Sequence, residues 1–151
     1  MSSTPEHPIM KSRTLTLTHD IPISKTKTYW EGLKDGKVYA TRCKKCGESY
    51  YPPQVDCPKC LTSDVEWVQL SEGRLQTFTQ AYLKPQGFTH YEHNYVIAIA
   101  KTVEGVKLMG WLEDMDVENA KVDMPVEITA KMMPDGFPVI SFKRAKKNAR
   151  L

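Results

Sequence analysis

Enzyme signatures are missing from this 151-residue chain. It holds no Gly-x-Ser-x-Gly elbow, no phosphate-binding loop and no dinucleotide-binding fingerprint, which removes the commonest hydrolase, NTPase and dehydrogenase readings. Long apolar runs are missing too: the longest, Tyr95 to Ala100, is far shorter than the roughly 20 residues of a membrane-spanning helix. The start, Met1 to Lys11, is polar and proline-bearing, so no secretory leader is read there. Cysteine is scarce, four in all, too few for a disulfide-dense secreted scaffold; reduced thiols without a leader point to the cytoplasm.

All four cysteines fall in two pairs, Cys43-Lys44-Lys45-Cys46 and Cys57-Pro58-Lys59-Cys60, ten residues apart. That is the ligand arithmetic of one tetrahedral Cys₄ zinc site, with Cys43, Cys46, Cys57 and Cys60 as ligands. Each pair can form a knuckle that aims two thiolates at one metal, and Gly47 supplies the positive φ such a turn favours. Three other readings stay open. Two disulfides across two-residue spacers make poor staples, a redox dithiol needs only one pair on a βαβ pattern, and iron suits a rubredoxin-like site. Four protein ligands close the coordination sphere, so such a metal holds a fold together and leaves no position for substrate.

Charge is unevenly spread over the chain. The formal total is +3, yet Lys143 to Leu151 carries five basic residues and no acid. Residues 61–142 contain six basic and twelve acidic side chains, a net of −6, and residues 37–60 contain five and two, a net of +3. Four thiolates and one Zn²⁺ would lower the latter by two charges, so Arg42, Lys44, Lys45 and Lys59 read first as counter-charge to an anionic metal centre.

The pattern predicts a mainly β protein: an N-terminal helix and a rubredoxin-like zinc ribbon followed by a five-stranded OB-fold barrel. Its expected divisions are a flexible arm over 1–21, a short helix within 22–36, the ribbon over 37–62, the OB-fold domain over 63–142 and a basic tail over 143–151. Ser24 is placed to cap a helix of about two turns carrying Tyr29, Trp30 and Leu33 on its apolar side, with Gly32 and Gly36 ending it. From Val65 the period is two: Val65 to Leu70, Arg74 to Leu83, Tyr95 to Val103, Val106 to Leu112, Val126 to Met132 and Val139 to Phe142. Glu104-Gly105 reads as a two-residue hairpin, Asp135-Gly136 as a turn, and Asp116 to Ala120 as a short helical segment. Three meander strands, a small helix and a final hairpin are the order of an OB barrel; an immunoglobulin-like sandwich, needing about seven strands, ranks second.

Taken in order, Trp30-Glu31-Gly32-Leu33-Lys34-Asp35-Gly36-Lys37, Arg42-Cys43-Lys44-Lys45-Cys46-Gly47, Tyr51-Pro52-Pro53, Cys57-Pro58-Lys59-Cys60, Gly110 and Met124-Pro125 resemble one family. Its members join a rubredoxin-like zinc ribbon to an OB fold and act as acyl-CoA-associated accessory proteins of thiolase-like enzymes. The resemblance covers roughly residues 22–142. It implies a non-catalytic subunit, containing structural zinc, beside a thiolase-like protein or a hydroxymethylglutaryl-CoA synthase, binding or channelling acyl-CoA. Coenzyme A phosphates would then seek Lys44, Lys45, Lys59 or the tail, and the pantetheine arm the stretch with Lys84, Phe88, Tyr91 and His93. Trp30 and Tyr51 are candidate anchors for the partner, with internal packing as the alternative.

His90 and His93, three apart in the connection between two expected barrel strands, are the one pair that could act as acid and base or bind metal. No third ligand or nucleophile accompanies them, so an ordinary loop is the favoured reading. Single-stranded nucleic-acid binding, the alternative function for a ribbon with an OB fold, needs a basic groove with aromatic platforms; the acidic barrel has the wrong sign.

Overall fold

In the computed structural model the described residues are 10, 12, 13, 17–83 and 95–145. The first regular element is a 3₁₀ turn, Ser24–Thr26, running into helix α1, Lys27–Lys34. Ser24 makes no capping bond. Trp30 instead closes the first turn by donating its Nε1–H to Thr26 Oγ1 at 3.2 Å. The helix ends in a Schellman arrangement: Lys37 N–H donates to Gly32 O at 2.7 Å, and Gly36 N–H to Leu33 O at 3.2 Å, with Gly36 at φ +76°. Gly36 is therefore the stop. Gly32 lies inside the helix, contrary to the sequence expectation, because a Cβ there would stand 2.6 Å from the Tyr39 ring. Close packing of helix on strand, and not termination, is what demands glycine there.

Beyond Gly36 the chain forms β1, Val38–Cys43, then β2, Ser49–Tyr50, and later β3, Val65–Leu70. They make a three-stranded antiparallel sheet in the order β2-β1-β3, with β1 and β3 in register from Val38↔Leu70 to Cys43↔Val65. The strand expected at Val65 to Leu70 is present, but it belongs to the ribbon sheet and lies outside the barrel. The chain passes between the two across Ser71, so the division expected after residue 62 falls ahead of β3.

The barrel comprises β4 Glu72–Ala81, β5 Tyr95–Thr102, β6 Lys107–Leu112, β7 Pro125–Met132 and β8 Pro138–Arg144. It closes in the order β4-β5-β6-β8-β7, with β6 and β8 parallel and β7 returning to β4. A 3₁₀ turn, Val117–Asn119, sits between the third and fourth barrel strands. This is the expected five-stranded OB order. Both hairpins are one residue longer than a two-residue turn. Thr102 N–H donates to Val106 O at 2.9 Å and Met133 N–H to Phe137 O at 2.9 Å, each around three residues that end in glycine, Gly105 at φ +85° and Gly136 at φ +84°.

Inward residues follow the period of two: Leu75, Ala98, Ala100, Leu108, Val126, Ile128 and Phe142 are buried. Leu33, Val38, Ala40 and Leu70 join the same core, so helix, ribbon base and barrel share one interior. Polar ties reinforce the seam. Gly36 O accepts from Thr129 Oγ1 at 3.0 Å and from Ala130 N–H at 3.2 Å, and Ser71 O accepts from Ile128 N–H at 2.8 Å. The ribbon thus stands on the barrel with its cysteines at the far end of β1 and beyond.

Candidate metal centre

The two Cys-x-x-Cys segments fold to the same backbone frame. In the first, Cys43 N–H donates to Glu48 O at 2.9 Å and Gly47 N–H to Cys43 O at 2.8 Å. In the second, Cys57 N–H donates to Thr62 O at 2.8 Å and Leu61 N–H to Cys57 O at 2.8 Å. The residue after each second cysteine takes a left-handed conformation, Gly47 at φ +75° and Leu61 at φ +50°. Glycine adopts it freely; leucine does so at a cost of roughly 1–2 kcal/mol.

These knuckles bring the sulfurs of Cys43, Cys46, Cys57 and Cys60 within 4.8 Å of one another, and none is in a disulfide. Cys46 Sγ and Cys57 Sγ stand 3.7 Å apart, close to the roughly 3.8 Å edge of a tetrahedron with 2.3 Å metal–sulfur bonds. Cys43 and Cys57 are buried, Cys60 is half-buried and Cys46 is exposed.

Electrostatics also favour a cation. Tyr50, the last residue of β2, places its hydroxyl 3.3 Å from Cys57 Sγ. That hydrogen bond, helped by the backbone around Lys59 and Cys60, holds the Cys57 thiol well below its ordinary range, at about 6. Cys60 moves the other way, pushed up to about 12 first by its hydrogen bond with Cys46 and then by burial. Four thiolates this close would repel one another, so the cluster calls for a dication among them. A soft, closed S₄ set fits Zn²⁺, with Fe in a rubredoxin-like site as the other metal of matching preference. Tyr50 was not singled out in the sequence; its signal was its place in the strand pairing across β1, Thr41↔Tyr50, which turns it back toward the second knuckle.

A second polar tie holds the crossing segment between the knuckles. Thr41, fully buried on β1, donates its hydroxyl to Gln54 O at 2.8 Å and accepts from Gln54 N–H at 2.9 Å. Nearby, Tyr29 and Tyr51 hydroxyls meet at 2.9 Å, and the Tyr29 ring lies edge-on to Trp30 and to Tyr51. Burial, then that hydroxyl partner, raises the Tyr51 phenol above its usual range. Trp30 and Tyr51, the candidate anchors, are thus engaged in packing against the core.

The cations around the ribbon have local acid partners. Lys44 pairs with Asp64 at 2.7 Å and Lys59 with Glu48 at 2.6 Å, and those carboxylates raise both ammonium pKa values. Lys45 is exposed and has no acid partner among the described residues. In the tail, Lys143 shares Glu113 with Lys131, at 3.7 and 3.3 Å, while Arg144 lines an open hollow of about 380 Å³ with Asp114, Met115, Asp116 and Asn119. Lys84, Phe88, Tyr91, His93 and His90 lie outside the described residues, as do Lys146, Lys147 and Arg150. His19, exposed in the arm, is the only described histidine. Among the described residues no helix is long and apolar enough to cross a membrane.

Comparison with known proteins agrees with this architecture. Residues 30–66 match the family profile described as the ChsH2 rubredoxin-like zinc ribbon domain, and residues 67–131 the one described as the ChsH2 C-terminal OB-fold domain. A DUF35 domain-containing scaffold protein of Methanocaldococcus jannaschii is 32% identical over 111 residues, covering 71% of this chain and 78% of that protein. The benzoylsuccinyl-CoA thiolase subunit BbsA of Thauera aromatica is 32% identical over 110 residues, covering 70% of this chain and 73% of that subunit. Among solved structures, a chain of the Ltp2-ChsH2(DUF35) aldolase superposes with a TM-score of 0.71 at 22% identity, covering 85% of this chain and all of that one, a likeness of fold. With its Cys₄ ribbon, its closed OB barrel and these relatives, the chain belongs to the DUF35 family of zinc-ribbon and OB-fold proteins.

Proposed function

We propose that this chain is a non-catalytic scaffold subunit whose four cysteines hold one structural Zn²⁺, and that it docks on a thiolase-like enzyme and helps hold that enzyme's CoA thioester. The observation that carries the reading is family membership with a thiolase subunit among the relatives at 32% identity, joined to a four-sulfur cluster that leaves no open ligand position. Zinc, when bound, supplies rigidity to the ribbon; Tyr50 and the knuckle backbone stabilise the thiolates, and Thr41 fixes the segment between them. On this reading the working units are residues 22–36 as helix, 37–70 as ribbon and 72–144 as barrel, and the protein works in the cytoplasm.

Lys45 is the ribbon cation best placed to meet a CoA phosphate, since Lys44 and Lys59 already face carboxylates. Lys84, Phe88, Tyr91 and His93 remain proposed contacts for the pantetheine arm. A hydroxymethylglutaryl-CoA synthase is a second partner of the same proposal, resting on the sequence resemblance alone.

The test is acyl transfer from a CoA thioester by a purified thiolase-like protein of the same organism, measured with and without the zinc-loaded chain. The chain alone should give no turnover, and its addition should raise the partner's rate or lower its KM. Turnover by the isolated chain, or a partner indifferent to its presence, would sink the proposal.

A further inference from the structure

The two knuckles share one hydrogen-bond frame and differ in the residue that takes its left-handed position. Where the first has Gly47 at φ +75°, the second has Leu61 at φ +50°, and the Leu61 side chain is 90% exposed. A leucine in this position buries almost none of its surface. Its backbone is in the left-handed region that β-carbons resist, and its side chain meets water instead of core. Gly47 shows that the same turn is made without that cost, and a Cβ at Gly47 would find no neighbour within 4 Å, so crowding does not explain the difference.

Leu61 is also held rigidly. Its N–H donates to Cys57 O at 2.8 Å, Cys57 bridges Thr62, and Ser63 Oγ donates to Asp56 at 2.6 Å just beyond. An apolar side chain fixed on a hydrogen-bonded turn loses little further backbone freedom when it enters a pocket. Lys45, the cation proposed to meet a CoA phosphate, adjoins Cys46 on the other knuckle as Leu61 adjoins Cys60, and the sulfurs of those two cysteines lie within 4.8 Å of one another.

We infer that Leu61 is a preformed anchor at the tip of the zinc ribbon, which inserts into an apolar pocket on the thiolase-fold subunit. This assignment rests on the proposed function and names the contact through which it works. A nucleic acid is a poorer occupant, because an aliphatic side chain offers neither charge for a phosphate nor a ring for a base.

The experiment uses the full zinc-loaded chain, its Leu61→Gly and Leu61→Asn variants and a purified thiolase-like protein of the same organism. Both replacements tolerate a positive φ, so both variants should carry the same zinc per chain as the parent and unfold at the same or a slightly higher temperature. Their Kd for the partner should rise about ten- to a hundred-fold, the size expected when a buried leucine is lost from an interface. Wild-type affinity in both variants would overturn the anchor while leaving the proposed function standing. So would a drop of several degrees in the free variants' melting temperature, which would make Leu61 a structural residue. No association by the unaltered chain would remove the proposed function and the anchor together.

Discussion

The side chain of Thr41 and the backbone of Gln54 form a reciprocal pair across the ribbon: the threonine hydroxyl donates to Gln54 O at 2.8 Å and accepts from Gln54 N–H at 2.9 Å. Thr41 is fully buried and 13 residues away in sequence, so this one hydroxyl satisfies both polar groups of a segment that belongs to no strand. Thr41→Val keeps the shape and leaves both Gln54 groups without a partner. It should lower stability by about 1–3 kcal/mol. Thr41→Ser, which retains the hydroxyl, should recover most of the loss in a thermal melt.

Tyr50 acts on the metal through Cys57 Sγ, 3.3 Å from its hydroxyl. Tyr50→Phe should weaken zinc binding about ten-fold in a chelator competition, the lower end for loss of a group supporting a ligand. The sign with pH follows from the depressed Cys57 thiol. Its stabilisation is present above the ordinary thiol range and is lost as pH falls through about 6. Removing the donor lets the proton compete earlier, so metal release on acidification should begin at higher pH in the variant. Identical release curves would remove Tyr50 from the account.

Cys57→Ser should bring zinc measured by plasma emission well below one per chain. Amide exchange should rise along Val38–Cys43 and Val65–Leu70 while Tyr95–Thr102 stays protected, because the metal's binding energy is folding energy of the ribbon. A fully folded ribbon with four free thiols and no metal in the parent protein would contradict the structural zinc.

Gly110 sits where β6 meets β8, and a Cβ there would stand 2.9 Å from Ile140 O and from the Phe142 ring. Both neighbours belong to the closing strand and cannot withdraw without opening the barrel. Gly110→Ala should cost about 1–3 kcal/mol as overpacking, with zinc content unchanged. A neutral melt would show that the parallel seam is looser than described.

Local signals in the sequence carried the site and most of the fold. The Cys-x-x-Cys pairs announce the cluster because two-residue spacing is a metal geometry in itself, and the strand, turn and glycine order from Arg74 onward reads as an OB barrel. Long-range partners were what escaped. Val65 to Leu70 looks like any half-buried strand, and only its pairing with Val38–Cys43 assigns it to the ribbon. Gly32 and Gly36 are the same residue type four apart, and the Tyr39 ring, supplied by the next strand, distinguishes a packing glycine from a helix stop. Trp30 and Tyr51 read as surface anchors or as packing, with packing the favoured reading for Trp30, and the placing of Tyr29 between them decides for packing. Leu61 gave no sequence signal, since a leucine after a cysteine is unremarked until its backbone is seen to share the conformation of Gly47.

The account turns on association with a thiolase-like enzyme. Sedimentation velocity of the zinc-loaded chain mixed at micromolar concentration with a purified thiolase-like protein of the same organism measures this directly. The account predicts one faster-sedimenting complex containing both proteins, buried over an interface on the order of 1,600 Å² or more. Two boundaries moving at the speeds of the separate proteins would contradict it.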